Sequence, residues 1–502
     1  MPLLGLDVGT GGTRAVLIDR DGVVLASATC DHAPFASPHT GWAEQDPADW
    51  WRASAAAIRE VQAAAPDRAI EAIGLSGQMH GAVLLDAQEQ VVRPAIIWCD
   101  QRTGRECREI TDTIGAERLI ELTSNPALTG FTLPKLLWVR RHEPQAWQRI
   151  RSVLLPKDFV RMRLTGVRAT DLADASGTLL YDVTHRRWSD DVLAALHLDP
   201  SWLPRAFEGP EVTGVVSAQA AHETGLPEGT PVVAGGGDQA AGAVGMGAVR
   251  PGVVSVTLGT SGVVFATTDT PLRDPAGRVH TFCHAVPGRW QVMGVTQAAG
   301  LSLRWFRDTF TAHDGRTVSY DALTAEASAV APGADGVLWA PYLMGERTPH
   351  LDPDARAALV GLAASHTRGH VVRAILEGVA FSLCDALEIL RSMGVPITSV
   401  RAGGGGARSS LWRQILADAF NVPVGPLEAD EGAAFGAALL AGVGAGVWPS
   451  VEAACDRTVR LAAETAPDAA AVDVLARSYD RYRTLYGALA PSRASGDAQP
   501  LP

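Results

Sequence analysis

Two apolar runs open the chain on either side of a Gly/Thr-rich turn. Leu3 to Asp19 reads LLGLDVGTGGTRAVLID, which predicts a β-hairpin. A turn at Asp19 to Gly22 and a third strand at Val23 to Thr29 extend it to an antiparallel meander. A helix is predicted from Asp46 or Pro47 to about Ala65, because Asp suits the cap and Pro the first turn. Ala69 to Leu75 reads as a strand running into Ser76 to Gly81, SGQMHG, followed by short strands at Val83 to Asp86 and Ile96 to Trp98. Thr103 to Ile114 and Lys157 to Leu164 read as helices, the second closed by Gly166. Prolines 200, 204, 210, 227 and 231 mark loops before the central stretch. That stretch, Val232 to Ala248, is VVAGGGDQAAGAVGMGA. An apolar run ends in three glycines, then Asp238, Gln239 and a small-residue helix, with Asp238 placed as an ordinary N-cap.

A second meander follows at Val253 to Thr268, VVSVTLGTSGVVFATT. Laid on the N-terminus, it puts Gly9 on Gly259, Thr10 on Thr260 and Gly12 on Gly262. This repeat suggests two domains of like topology. Arg368 to Met393 sets Val372, Leu376, Val379, Leu383, Leu387 and Leu390 on one helical face, and Gly394 ends it. A strand at Ile397 to Ala402 leads through four glycines, Gly403 to Gly406, to a helix over Ser409 to Phe420. Glu431 to Gly442 predicts a helix of alanines and glycines that lets other backbone approach closely. Ala470 to Leu489 is the last predicted helix, and Pro491 to Pro502 reads as a disordered tail.

Composition narrows the class. The 502 residues predict two or more domains of a globular protein. Their net charge of −12 argues against a nucleic-acid polyanion as partner, though not against small anions held by backbone N–H groups. Six scattered cysteines with no CxxC pair read as reduced thiols of a cytoplasmic protein. The opening apolar run is too short for a signal peptide and is broken by Asp7. The uncharged run Gly432 to Val451 is more than half Gly and Ala and ends in Trp-Pro-Ser-Val, so it reads as a tightly packed helix rather than a membrane span.

Four glycine turns follow strands, at Gly9, Gly235, Gly259 and Gly403. Such turns present backbone N–H groups to phosphate oxygens, and two of these are related by repetition, which points to a polyphosphate. Neither a Walker GxxxxGK[ST] loop nor a Rossmann GxGxxG after the first strand is present. Asp7, just before the first turn, suits a Mg²⁺ ligand or a turn-stabilising role. Thr10 and Thr13 offer hydroxyls to phosphate, and Arg14 a cation. Gln78, Met79, His80, Asp100, Gln101 and Arg102 supply polar groups for a polyol, with Met79 and Trp98 as an apolar wall. An acid at a strand end beside glycines, Asp238, is placed for proton transfer as well as capping.

Taken together, LDVGTGGTR, WAEQDPADWW, GLSGQMHG, WCDQRT, KDFVRMRLTG, DASGTLLYDV, GGGDQAAGAVG, LGTSG, GERTPH and AGGGGARSSLW resemble the FGGY carbohydrate kinases, most closely those acting on D-xylulose. Two longer stretches, Gly130 to His142 and Ala357 to Glu377, resemble that family's signatures. The resemblance implies an α/β protein of two ribonuclease H-like domains, of the actin/hexokinase/Hsp70 superfamily, with ATP and sugar in a cleft between them. It implies an N-terminal domain over 1–246, a nucleotide-binding domain over 247–446 and a helical segment over 447–490 packing back on them. It further implies Asp238 as catalytic base and Met79, His80, Asp100, Asp238 and Gln239 around the sugar. Thr10, Gly11, Gly12, Arg14, Gly259 and Thr260 would meet phosphate, Gly300, Gly405 and Ser409 would lie along the nucleotide, and Asp7 would serve Mg²⁺. The implied reaction is ATP plus D-xylulose giving ADP plus D-xylulose 5-phosphate, in a cytoplasmic homodimer without membrane or nucleic-acid partners. Cys99, where relatives often carry Asn, bears on sugar preference. Two alternatives stand beside this: a kinase of ribulose, glycerol, gluconate or an alditol, and a non-catalytic ATP-gated sugar sensor.

Overall fold

The computed structural model describes residues 2–66, 69–312, 317–428 and 431–494. The chain divides into two compact units, one made of 1–250, 267–291 and 431–459, the other of 251–266, 292–430 and 460–502.

In the first unit the meander forms as β1 (Leu3–Val8), β2 (Gly12–Ile18) and β3 (Val24–Asp31). Further strands are β4 (Ala72–Gly77), β5 (Val212–Val215), β6 (Pro231–Val233) and β7 (Gly236–Gly237). The sheet order is β5-β6-β4-β1-β2-β3, with β7 also on β4. β1 runs antiparallel to β2 and parallel to β4. Leu3, Leu4, Leu6 and Val8 are all fully buried, so both faces of β1 are covered. The helix Pro47–Ala64, capped by Asp46 and opened by Pro47, packs on β2 and β3. The helix Gly432–Gly444 packs on β1, β4 and the helix Asp238–Gly245. That contact demands small residues: a Cβ on Gly436 would lie 1.8 Å from the carbonyl oxygen of Ala241. β5 lies in the stretch that its prolines mark only as loop.

The second unit repeats the plan with β8 (Gly252–Leu258), β9 (Gly262–Thr268), β10 (Trp290–Thr296), β11 (Ile397–Gly403) and β12 (Val424–Pro426). Within a six-stranded sheet these five run in the order β10-β9-β8-β11-β12, with β8 antiparallel to β9 and parallel to β11. This matches β3-β2-β1-β4-β6 of the first unit strand for strand. The helix Arg368–Ser392 buries its predicted face and most of the rest of its surface. The helix Ala469–Ala494 joins this unit through Leu475, Tyr482 and Leu485. It runs into the stretch read as a tail, whose residues 495–502 lie outside the described residues. Among the described residues no helix is long and apolar enough to cross a membrane, and no disulfide joins any of the six cysteines.

Candidate active site

β1, β4 and β7 are neighbouring parallel strands, and the residues of interest leave them at their carboxyl ends, where open α/β sheets bind ligands. Asp7 pairs in register with Ser76 and Arg14, and Gly237 with Gly77. Gly235, at φ 75°, bends the chain between β6 and β7, and only glycine fits there, because a Cβ would sit 1.8 Å from the Leu75 carbonyl oxygen.

Asp238 follows β7 directly. The predicted cap is corrected: Gly237 is the N-cap, and Asp238 is the first helical residue with no capping hydrogen bond from its side chain. Burial, and then the charge of Asp7, push the Asp238 carboxyl up to about 7, while the backbone and side chain of Gln239 pull it down. Burial pushes Asp7 up to about 6 against the Ser76 hydroxyl and Arg14. The Oδ1 atom of Asp7 is buried and has no hydrogen-bond partner. Two such carboxylates suit a base working near neutral pH beside a hydrated Mg²⁺, which takes one or two carboxylates and keeps several waters. Among the described residues no cluster of three or more His, Cys, Asp or Glu is arranged for a metal.

Met79 and His80 follow β4 just after Gly77, the in-register partner of Gly237. Met79 is buried under Gly237, whose absent Cβ would lie 2.8 Å from the Met79 Cγ. His80 adopts φ 69°, sets its Nδ1 2.5 Å from the Gly177 carbonyl oxygen and meets Phe131 edge-on at 4.9 Å. Gln239 is half-buried next to the acid. Asp100 departs from its expected place on the sugar. It is fully buried, its Oδ2 accepts from the Ala43 amide at 2.6 Å, and Arg102 pairs with it at 2.6 Å. Its carboxylate is an internal anchor, because a buried charge requires a partner and Arg102 lies two residues away.

The first glycine turn closes through a Gly9 N–H to Gly12 carbonyl bond of 3.0 Å. The side-chain amides of Gln78 and Gln45 hold the carbonyls of Gly9 and Thr10 at 3.2 and 2.8 Å. Thr10 offers its hydroxyl at this turn, where the Trp98 indole donates to it at 2.9 Å. Gly11 is exposed at the tip and Gly12 opens β2. Thr13 does not face a ligand: its fully buried hydroxyl meets His32 Nε2 at 2.9 Å. Arg14 pairs with Glu431.

In the second unit the five expected nucleotide residues converge. Gly259, Thr260, Gly300, Gly405 and Ser409 line one pocket of about 790 Å³, a size that suits a nucleotide. The helix Gly300–Phe310 sets the Gly300 and Leu301 amides on the carbonyls of Gly259 and Thr260, at 2.8 and 3.2 Å. Gly300 permits this approach, since a Cβ would lie 2.5 Å from the Gly259 oxygen. Ser409 caps the helix Ser410–Phe420. Arg304, Arg408 and Tyr320 also line the pocket and escaped the sequence reading. Arg304 lies one helical turn beyond Gly300, and Arg408 sits inside AGGGGARSSLW, so spacing from the glycines was the available signal. Glu346, in GERTPH, accepts from Thr296 Oγ1 at 2.7 Å and the Gln297 amide at 3.0 Å, bracing the approach to Gly300.

Residues 2–245 match the N-terminal domain of the FGGY family of carbohydrate kinases, and residues 254–445 match its C-terminal domain. The chain belongs to this family. It is 40% identical to the xylulose kinase of Bacillus subtilis (strain 168) over 486 residues, 96% of each protein. It is also 40% identical to the xylulose kinase of Escherichia coli (strain K12), over 98% of this chain and 100% of the relative. The crystal structure of a xyloylose kinase from Brucella ovis superposes with a TM-score of 0.92 at 41% identity, covering 98% of this chain and 100% of that one. The FGGY chain is therefore an ATP-dependent sugar kinase with the two-domain, actin/hexokinase-like α/β fold.

Proposed function

We propose that this FGGY kinase phosphorylates D-xylulose to D-xylulose 5-phosphate, with Asp238 as general base. The observation that carries the base assignment is the half-buried Asp238 carboxyl at the end of β7, pushed up to about 7 and neighboured by Asp7 and glycines. The names of the most similar relatives support the sugar. Asp238 accepts the hydroxyl proton as that oxygen bonds to the γ-phosphorus and the bond to the β–γ bridging oxygen breaks, releasing ADP. Met79, His80 and Gln239 orient the sugar. Thr10, Gly11 and Gly12 of the first turn, and Gly259 and Thr260 of the second, hold phosphate oxygens. Asp7 would hold Mg²⁺ through its free Oδ1, directly or through water. When bound, the ion neutralises charge on the phosphoryl oxygens, which such transfers need more than covalent help. Six cysteines without a disulfide among them support a reducing, cytoplasmic setting.

A coupled ADP-release assay over D-xylulose, ribulose, glycerol, gluconate and alditols tests the substrate. D-xylulose is expected to rank first by kcat/KM, and another sugar in its place overturns the assignment. Asp238→Ala is expected to abolish transfer while leaving ATP binding intact, and normal turnover in that variant removes Asp238 as the base.

A further inference from the structure

The helix Thr132–His142 carries a lysine in a wholly buried stretch. Thr132 to Val139 is buried residue after residue, yet Lys135 stands among them with no exposed surface. Its ammonium forms no ion pair among the described residues. Asp100, the acid whose charge favours this cation, is already committed to Arg102 and the Ala43 amide. Instead the Lys135 Nζ donates to two main-chain carbonyls, those of His80 and Gly130, each at 2.7 Å. The Thr132 hydroxyl donates to the same His80 carbonyl at 3.1 Å. Burial lowers the Lys135 ammonium to about 7, so the fold holds this cation at a disadvantage that an apolar residue would avoid.

The two carbonyls come from separate segments. Gly130 lies against Trp98, whose carbonyl oxygen would be 3.0 Å from a Cβ at 130. His80 sits in the left-handed region, which a residue with a side chain adopts only when its surroundings hold it there. Its ring is fixed from the other side by Gly177 and Phe131. Lys135 and Thr132 thus clamp the His80–Gly81 peptide group and so hold the main chain that carries the strained His80.

We propose that Lys135 is a positioning residue for sugar recognition, setting the Met79–His80 wall through the His80 carbonyl with Thr132 as its second donor. This rests on the reading of Met79 and His80 as sugar contacts. Sugar affinity therefore depends on a lysine that the sugar does not touch, and nucleotide affinity does not.

The test compares wild type, Lys135→Met and Thr132→Val by calorimetric binding of D-xylulose and of ATP separately, with steady-state kinetics and melting temperatures. Lys135→Met is expected to weaken D-xylulose binding and raise its KM by about tenfold or more, with ATP within about twofold of wild type. Thr132→Val, which keeps the buried cation, is expected to move the same two quantities by about two- to fivefold. A purely structural lysine predicts a lower melting temperature with unchanged sugar affinity in the folded fraction, and that result overturns the proposal. So does equal weakening of sugar and ATP. If Lys135→Met does not fold, Thr132→Val decides alone: unchanged sugar affinity there refutes the clamp. Wild type that binds no D-xylulose fails the underlying sugar reading instead, and the same comparison is then run on the best sugar of the screen.

Discussion

A carboxyl group near 7 is half protonated at neutral pH, and only the ionised half serves as a base. For Asp238 this sets a kinetic expectation: kcat/KM falls below about pH 7 with unit slope, measured on free enzyme and sub-saturating sugar. A flat profile down to pH 5 contradicts the assignment. The same group shapes stability. Its folded value lies above the ordinary 3.8, so the fold favours the neutral acid. That contribution is complete below the unfolded value and is lost as pH rises through about 7. Asp238→Asn cannot ionise, so it should melt above wild type at pH 8 and match it near pH 4. The full displacement corresponds to at most ~4 kcal/mol, and solvent access to a half-buried group reduces the expected gain to ~1–2 kcal/mol. Calorimetry of ligand-free protein at both values checks it. At this scale the chain was unevenly legible. Asp238 and the glycines beside it were visible because strand, turn and acid are contiguous. Asp100 and Thr13 misled because their partners decide their roles: Arg102 and Ala43 absorb one, and His32 the other.

Among the elements, the helix Gly432–Gly444 shows what local pattern does and does not convey. Its run of Gly and Ala announces close approach to backbone, but not that the backbone belongs to Asp238–Gly245, far earlier in the chain. Gly436→Ala places a methyl carbon 1.8 Å from the Ala241 oxygen, so the two helices must part. The expected loss is ~1–3 kcal/mol or more, read from the denaturant midpoint. Helix Pro156–Thr165 hides a second long-range dependence. Lys157 lies 2.7, 2.6 and 3.0 Å from Asp158, Asp171 and Asp174, all buried, and Arg161 holds Asp158 and the Ala234 carbonyl just before the three glycines. Burial raises the Asp174 carboxyl well above its usual range, against the pull of the Lys157 ammonium. Lys157→Met removes a cation from among three acids and should cost ~3–5 kcal/mol, seen as a lowered melting temperature. Spacing along the helix shows where its charges are, not that strand Ala169–Asp171 and helix Leu172–Ser176 bring two further acids to them.

At the scale of the whole molecule, the repeated hairpin was the most informative feature of the sequence, because it implied one sheet plan used twice. Both units carry that plan, each with its own glycine turn between the first two strands. What the repeat could not convey is that the first unit is completed by 431–459, since return of a chain segment leaves no local mark. The division of labour follows from the residues each unit contains. Asp238, Met79 and His80 lie in the first, while Gly259, Thr260, Gly300, Gly405 and Ser409 lie in the second. Binding of each ligand by itself should therefore be separable by substitution. Gly300→Ala puts a carbon 2.5 Å from the Gly259 oxygen, lifting the helix Gly300–Phe310 off its turn. It is expected to weaken ATP by about tenfold, ~1.4 kcal/mol, with D-xylulose affinity in the absence of nucleotide within about twofold. Met79→Ala is expected to do the converse, because it empties volume beneath Gly237 without touching the pocket of the second unit. Calorimetric titration of each ligand into each variant reads all four values. If either variant weakened both ligands equally, the two sites would share one structural determinant, and assigning sugar to one copy of the sheet and nucleotide to the other would no longer hold.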